Sequence, residues 1–471
     1  MSKILAGVTA LLLIAAMAVT GCGSHSTPRN ESKPSTSVRL TAELPSTPAG
    51  QQLGWALALI NSGRTPPSAE LSAHFSPAFL KAFPPGQLIA GLEPVLAGKP
   101  YRYARTLAQP NPLQLMARLD GDRGAGLRVV VTVANNPTHQ IDGLLFRAVA
   151  SEPGGWPAID AGLGRLASQT SVLAAEVRNG RLVTVHALHP NRAGAIGSAF
   201  KPYVLGALAQ AIENGKASWQ EKLAIRNAWK SIPSGVMQNE PAGKRFTLLH
   251  YAQLMIAISD NTAADHLIGR LGRSAVEQEL IRLGNHSPGR NIPFLTTREI
   301  TILKADAPAS LMNAYARAGS KPRSRLLARI DAIPLSIDAL SGKPRSAASL
   351  AWLVEDRPLA VSSIEWFASP ADLGRAMVGL QQLARRPGLA PIRAILSKNP
   401  GVPLDPKIWR YAAYKGGSEP GVLCFSWYLE RRDGRAFVLA IVLNDSKRTV
   451  ENDLISPISI AQAAMALLAH S

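Results

Sequence analysis

The sequence predicts an α+β protein with two folded parts, on three observations. Between about residues 40 and 150, helical hydrophobic spacing is followed by strand-like alternation, as in a small α+β unit. Glu152-Pro153-Gly154-Gly155 interrupts both patterns and marks the boundary. Beyond it, strand patterns at both ends of a mainly helical stretch imply one sheet assembled from distant chain parts beside a helical subdomain.

In the first part, helical spacing is followed by segments of strand-like hydrophobicity. The predicted helices are Pro48–Asn61 and Pro77–Ala97, and the predicted strands are Leu113–Leu119, Gly126–Val133 and Gln140–Val149.

The second part begins with a predicted helix over Pro157–Ser168. Asn179-Gly180 between two hydrophobic runs is a strong hairpin signal. The predicted strands are Ser171–Val177, Arg181–Leu188, Tyr411–Tyr414, Val422–Glu430 and Phe437–Leu443, and a last helix covers Ile460–Ala469.

Composition limits the possible classes of protein. The chain has 471 residues, of which 46% are hydrophobic, so general disorder is excluded. Two cysteines, Cys22 and Cys424, permit at most one disulfide and exclude a cysteine-based zinc site. The 51 Lys+Arg against 32 Asp+Glu give a formal net charge of +19, which leaves a polyanionic partner open.

The N-terminus predicts export. Residues 1–21 carry one cation, Lys3, and a hydrophobic run too short to span a bilayer comfortably, which is typical of a cleaved signal peptide. Val19-Thr20-Gly21-Cys22 resembles the lipobox of bacterial lipoproteins, which implies lipidation of Cys22 and anchoring to the outer face of the cytoplasmic membrane. An ordinary secretory signal is the alternative. Residues 22–39 are polar and predict a flexible tether.

The first candidate catalytic motif is Ser198-Ala199-Phe200-Lys201, at the start of a stretch with helical spacing. Residues three apart on a helix share a face, so the hydroxyl of Ser198 and the amine of Lys201 can approach each other. A lysine desolvated enough to lose its proton can activate a serine. Pro202 is tolerated only in a first turn and marks the helix start. Alone, such a short motif also arises by chance.

Two further motifs follow. Ser259-Asp260-Asn261 comes after a predicted helix, where a capping cluster is the simplest explanation. Lys415-Gly416-Gly417-Ser418 ends a predicted strand, where the simplest explanation is a lysine beside a glycine-rich bend. In this order the three motifs resemble those of the penicillin-recognising serine enzymes, the class A β-lactamases and penicillin-binding proteins. The resemblance implies a β-lactamase-like domain over 156–471, an α/β sandwich with an all-helical subdomain.

The resemblance implies catalytic roles for four residues. Ser198 would attack a carbonyl carbon, and Lys201 would accept its proton. Ser259 would relay a proton to the leaving group, assisted by Lys415, whose charge would also attract a substrate carboxylate. Asp260 is interpreted as a structural residue of the loop.

The resemblance also implies how a substrate would be held. The backbone N–H groups of Ser198 and Ser418 would form an oxyanion hole. Substrate contacts are assigned to Asn261, Gly416, Gly417 and Ser418, and we predict no cofactor and no metal site.

Two departures from the class A pattern argue against efficient β-lactam hydrolysis. The Glu-x-x-Leu-Asn loop, whose glutamate activates the deacylating water in that class, is missing between Ser259 and Lys415. Glu299 and Glu365 are possible substitutes, although each is more often a plain ion-pair partner. Gly416 replaces the usual Thr or Ser. The stretch Ala307–Ala360 is interpreted as an insertion or lid.

A narrower resemblance accommodates both departures. The lipobox, the small α+β segment, the string from Lys415 to Gly421 and Glu365-Trp366-Phe367-Ala368-Ser369-Pro370 are similar to the LpqF-type lipoproteins. In that group a steroid-isomerase-like domain, of the nuclear transport factor 2 type, precedes a β-lactamase-like domain. The resemblance implies such a domain over 40–152 and weak esterase activity in place of lactamase activity.

The sequence therefore predicts a membrane-anchored serine hydrolase acting on a small ester or amide that carries a carboxylate, with no nucleic-acid partner. A true β-lactamase, a D,D-peptidase and a slowly acylating cell-envelope binding protein remain alternatives. A rival Ser-His-Asp site would use one of four histidines, but no Gly-x-Ser-x-Gly elbow is present; these are His186, His189, His250 and His266.

Overall fold

The computed structural model describes residues 43–151, 154–335, 352 and 357–471. The described residues divide into two compact units, one formed by 43–151 with 453–460 and the other by 154–335, 352 and 357–452 with 461–471. The predicted signal peptide, tether and lipidated Cys22 lie outside the described residues. Within the described residues, none of the helices combines the length and the hydrophobicity needed to cross a bilayer.

The smaller unit consists of helices followed by an antiparallel meander. The helices are α1 (Pro48–Ser62), α2 (Ser68–His74), α3 (Pro77–Ala82) and α4 (Pro85–Ala97). The strands, hydrogen-bonded in chain order, are β1 (Tyr101–Asn111), β2 (Gln114–Gly121), β3 (Gly126–Val133) and β4 (Ile141–Ala148). Buried residues of α1, α4 and the inner strand faces form its core, including Leu53, Leu88, Leu119, Val129 and Ile141.

One prediction for this unit is wrong, and one strand was not predicted. The single helix over Pro77–Ala97 is interrupted, because Pro84 and Pro85 disfavour helical geometry in the residue before each of them and remove two backbone donors. Strand β1 was missed because most of its side chains are exposed, which leaves no hydrophobic alternation to detect.

The larger unit combines helices with an antiparallel sheet. In chain order its elements are α5 (Gly155–Leu166), β5 (Gln169–Arg178), β6 (Arg181–Leu188), β7 (Gly194–Ala195), α6 (Lys201–Glu213), β8 (Lys222–Ala224), β9 (Arg245–Thr247), α7 (Leu248–Ala257), α8 (Asn261–Leu271), α9 (Arg273–Arg282), α10 (Thr297–Thr301), α11 (Ala309–Arg317), α12 (Ser320–Asp331), β10 (Phe367–Ala368), α13 (Pro370–Leu383), α14 (Pro391–Ser397), β11 (Trp409–Glu419), β12 (Val422–Arg431) and β13 (Ala436–Asn444). The chain ends in α15 (Ile455–His470).

The main sheet has the strand order β11-β12-β13-β5-β6, with every neighbouring pair antiparallel. The prediction of one sheet assembled from distant chain parts is thereby confirmed. Asn179 and Gly180 turn the β5–β6 hairpin with φ of 50° and 74°, a left-handed conformation that suits this residue pair.

Helix α6 lies at the centre of the larger unit and packs against α8, α9 and α13. Its side chains are buried on all sides, Val204, Leu205 and Leu208 among them. Helix α13 covers strands β5, β12 and β13. Burying a leucine or valine completely contributes about 1.5–3 kcal/mol, so α6 is held rigidly and fixes the position of whatever its first turn carries.

Candidate active site

Ser198 and Lys201 lie where the chain enters α6. Ser198 belongs to a 3₁₀ turn, Gly197–Phe200, and Lys201 is the first residue of the helix. Pro202 follows in the first turn, where its missing N–H has no intrahelical partner to lose. Lys201 Nζ donates to Ser198 Oγ at 2.9 Å. The structure therefore brings together the first two predicted catalytic residues.

The loop between α7 and α8 supplies Ser259 and Asn261. Asp260 caps α8, because one of its carboxylate oxygens accepts from Ala263 N at 2.8 Å. Its other oxygen accepts from Val236 N at 2.7 Å and from Met237 N at 2.9 Å. These bonds agree with the structural role predicted for Asp260. They hold the neighbouring Ser259 at φ 59°, a conformation that only a well-supported loop retains for a residue other than glycine.

The amine of Lys201 is completely buried and surrounded by acceptors. Besides Ser198, it donates to Ser259 O at 2.6 Å and to Asn261 Oδ1 at 2.7 Å. It also lies 3.0 Å from Ser259 Oγ. Burial, reinforced by the nearby charge of Lys415, lowers the pKa of Lys201 well below its ordinary value. A neutral amine at this position can accept the proton of Ser198.

Lys415 contacts the hydroxyl of Ser259, as Lys201 does. It lies on β11, and its Nζ is 3.0 Å from Ser259 Oγ and 2.6 Å from Gly416 O. Burial lowers the pKa of Lys415 to about 7. Two ammonium groups on one hydroxyl oxygen would repel each other, so the arrangement favours at most one charge. A continuous path for a proton thus runs through the side chains of Ser198, Lys201, Ser259 and Lys415.

The backbone around the predicted oxyanion hole is closely packed. A Cβ built on Gly197 would lie 2.8 Å from Ser418 N, and one built on Gly417 would lie 2.6 Å from Ser198 N. The 3₁₀ turn and strand β11 therefore approach each other more closely than side chains allow. The N–H groups of Ser198 and Ser418, which the family resemblance assigns to an oxyanion hole, belong to these two adjoining segments.

Residues 158–330 match the model of the Beta-lactamase enzyme family. A second model, described as the ORF 12 gene product N-terminal, matches residues 44–137. The larger unit has a β-lactamase-like α/β fold with helices and an antiparallel sheet, and the match supports a serine hydrolase at this coarse level. No curated protein matches the chain significantly.

Solved structures similar to this chain share little sequence with it. A β-lactamase from Sphaerobacter thermophilus DSM 20745 has 19% identity and a TM-score of 0.45, covering 67% of this chain and 98% of that protein. PBP-A has 15% identity and a TM-score of 0.41, with 68% and 99% covered. An ancestral (GNCA) class A β-lactamase has 14% identity and a TM-score of 0.44, with 66% and 99% covered.

At Gly416, where the sequence departs from the class A pattern, the side chain of Tyr414 occupies the neighbouring space. A Cβ on Gly416 would lie 2.2 Å from the Tyr414 hydroxyl oxygen and 3.0 Å from its Cζ. Tyr414 is itself held by stacking on Trp427, with ring centroids 4.9 Å apart. The tyrosine therefore takes the space into which a threonine at 416 would grow.

We expect Gly416→Thr to destabilise the protein by about 1–3 kcal/mol, the usual cost of overpacking, instead of creating a lactamase. The measurement is the urea midpoint of unfolding, together with cephalosporin hydrolysis. Tyr414→Phe removes the nearest clashing atom, so the double variant should lose less stability than the two single losses added together. Additive losses, or rapid cephalosporin hydrolysis by Gly416→Thr, would contradict this explanation.

Two glutamates were considered as substitutes for the class A glutamate. The described partners of the first, Glu299, do not include Ser198. It caps α10 and pairs with Arg273 at 2.7 Å. Together with Arg298 and Asp331, it lines a cavity of ≈ 450 Å³ whose lining does not include Ser198 or Lys201. Glu365 is nearer, since its Oε2 accepts from Gly197 N at 3.2 Å, next to Ser198. Neither carboxylate has a described hydrogen bond to Ser198 or Lys201.

Sequence reasoning missed Lys304 and Glu419, which lie in contact with each other and close to Glu365. Glu419 directly follows Ser418 and could have been noticed as a charged residue inside a glycine-rich strand end. Lys304 carried no such signal.

Two of the four histidines of the rival Ser-His-Asp interpretation have other hydrogen-bond partners. His186 pairs with Asp160 at 2.8 Å, and His266 Nε2 accepts from Arg226 N at 2.9 Å. Among the described hydrogen bonds, none joins a histidine to Ser198. Among the described residues, no group of His, Cys, Asp or Glu could hold a metal ion.

Proposed function

We propose that the protein is a membrane-anchored serine hydrolase, an esterase or amidase that acts through an acyl-Ser198 intermediate. The observation that carries the proposal is the 2.9 Å contact between the buried amine of Lys201 and Ser198 Oγ. A lysine with a strongly lowered pKa, within hydrogen-bond reach of a hydroxyl, can act as its general base.

In the proposed acylation, Lys201 accepts the proton of Ser198 as Oγ attacks the substrate carbonyl carbon. Negative charge develops on the carbonyl oxygen, and the N–H groups of Ser198 and Ser418 stabilise it. The bond to the leaving group then breaks, and the proton that Lys201 accepted passes through the Ser259 hydroxyl, assisted by Lys415, to the leaving alcohol or amine, which makes Lys201 neutral again. Water afterwards cleaves the acyl bond to release the acid and restore the serine.

The substrate is proposed to be positioned beside the nucleophile by four residues, Asn261, Gly416, Gly417 and Ser418. The charge of Lys415 supports a substrate that carries a carboxylate. Esterase activity is favoured over lactamase activity because the class A glutamate is missing and Tyr414 takes the space of a side chain at 416.

The lipobox supports attachment to the outer face of the cytoplasmic membrane through Cys22, and replacing Cys22 by alanine should move the protein from the membrane to the soluble fraction.

For the smaller unit we propose the steroid-isomerase-like, nuclear transport factor 2 type of fold, in the manner of the LpqF-type lipoproteins.

The function is tested by treating the pure protein with a fluorophosphonate and, separately, with a fluorescent penicillin. The modified residue is located by mass spectrometry, and turnover of a nitrophenyl ester and a chromogenic cephalosporin is followed in parallel. We expect a phosphonate adduct on Ser198 and ester turnover that exceeds cephalosporin turnover. Absence of any adduct on Ser198 would overturn the proposal in favour of a binding protein, and rapid cephalosporin opening would overturn it in favour of a lactamase.

The proposed role of Lys415 predicts that the preference for a substrate with a carboxylate depends on pH. Because its pKa is lowered to about 7, its charge is present below pH 7 and is lost above it. For an ester that carries a carboxylate, kcat/KM relative to that of a matched neutral ester should therefore fall as the pH rises through about 7. In Lys415→Gln the ratio should no longer change with pH. A wild-type ratio that is constant from pH 5.5 to 8.5 would contradict the assignment.

A further inference from the structure

A buried cluster of three charged side chains lies beside the proposed oxyanion hole. Lys304 comes from a π-helical turn, Ile302–Asp306, while Glu365 precedes β10 and Glu419 ends β11. Their side chains are 0%, 1% and 10% exposed. Lys304 Nζ donates to Glu419 Oε1 and lies 4.0 Å from Glu365 Oε1. The catalytic roles proposed above use none of the three.

The two carboxylates are connected to the two segments that carry the Ser198 and Ser418 N–H groups, Glu365 by a hydrogen bond and Glu419 through the chain. Glu365 Oε2 accepts from Gly197 N at 3.2 Å and from Trp366 N at 2.8 Å, and Gly197 directly precedes Ser198. Gly197 has a φ of 50°, a conformation that a glycine leaves easily unless it is restrained. Glu419 directly follows Ser418 on β11. Lys304 therefore links one side of the hole to the other.

Burial of this cluster requires charge balance. Two full carboxylates opposite one ammonium would leave an unpaired buried charge, which costs several kcal/mol. Burial and the neighbouring Glu419 raise the pKa of Glu365 well above its ordinary value. A proton held by Glu365 leaves one carboxylate opposite Lys304, so the cluster is neutral and stays in place. A carboxyl group in that state is a poor base for activating a deacylating water.

We propose that Lys304, Glu365 and Glu419 form a positioning cluster that sets the spacing of the Ser198 and Ser418 N–H groups. The inference rests on the proposed function, because it assumes that these groups bind a developing oxyanion. Glu365 is thus a positioning residue, acting through Gly197, and not a substitute for the class A glutamate.

The test compares a nitrophenyl ester with its thionoester, in which sulfur replaces the carbonyl oxygen. Sulfur is larger and accepts hydrogen bonds poorly, so an intact oxyanion hole makes the oxygen ester the better substrate. Glu365→Leu removes the acceptor of Gly197 N–H, and we expect its kcat for the oxygen ester to fall about 10- to 100-fold, with KM nearly unchanged. The thionoester rate should fall much less. Glu365→Gln keeps an acceptor oxygen and should retain the wild-type ratio within about threefold.

Glu299→Leu is the matched control, since it removes another buried, ion-paired glutamate of the same unit. It should lower stability and leave the ester-to-thionoester ratio unchanged. All rates are compared below the unfolding temperature of each variant. If Glu365→Leu does not fold, Glu419→Gln decides, because it weakens the pair with Lys304 at nearly constant shape and should lower the same ratio.

The outcomes separate the two proposals. Wild-type protein that turns over neither ester would overturn the hydrolase function itself. A different result would overturn the positioning cluster alone. In that result the wild-type protein prefers the oxygen ester and Glu365→Leu shows the same preference. If Glu365→Leu does not fold, the same preference in Glu419→Gln has this meaning.

Discussion

Lys201→Met is expected to lower the rate of acylation of Ser198 about 10³-fold or more, within the range for loss of a general base. In the wild-type protein the Lys201 amine lies 2.9 Å from Ser198 Oγ. Methionine fills a similar volume but cannot accept the proton of that hydroxyl. Lys201→Arg should fail as well, because a guanidinium remains protonated at every accessible pH. A positive charge at this position is therefore insufficient.

The measurement is the second-order rate constant for fluorophosphonate labelling, with Ser198→Ala setting the background. Lys230→Met is the matched control, since Lys230 is also buried but has no described hydrogen bond to the active-site residues. It should leave the labelling rate within a few-fold of wild type. A loss below tenfold in a folded Lys201→Met protein would show that another group removes the proton of Ser198.

The parts of the site that the sequence predicts without the family resemblance are those that depend on local spacing. Ser198 and Lys201 meet because they are three residues apart at a helix start, and Asp260 caps α8 because it immediately precedes that helix. The Asn179-Gly180 hairpin follows from the backbone preference of two residues. Each of these features requires knowledge of only a few neighbouring positions.

The parts that the sequence did not predict depend on packing between distant segments. Lys304 and Glu419 are 115 residues apart in the chain, and nothing local to either indicates the contact. Gly416 differs from this case, because Tyr414 is only two residues away on β11. What the sequence does not indicate there is the side-chain conformation that places the Tyr414 hydroxyl beside Gly416. The order of the three motifs was informative only through the family resemblance, since each motif alone had a simpler explanation.

Gly417→Ala is expected to lower ester kcat/KM about 100-fold or more, because misplacing a catalytic group by about 1 Å has an effect of this size. Gly417 is not among the glycines with positive φ, so backbone strain is not the reason. The reason is space: a Cβ would lie 2.0 Å from Ile196 O and 2.6 Å from Ser198 N. The obstructing atoms are backbone, and either β11 or the 3₁₀ turn must move away.

Such a movement separates the Ser198 and Ser418 N–H groups, so the loss should appear in kcat, in addition to a loss of stability of about 1–3 kcal/mol. Gly164→Ala is the control, because α5 offers open space around Gly164 and the substitution should be neutral or slightly stabilising in a helix. Ester hydrolysis is measured well below both unfolding temperatures. If Gly417→Ala lost stability but kept the wild-type kcat, the close approach of β11 to the turn would serve packing alone, and the oxyanion hole would have to be sought elsewhere.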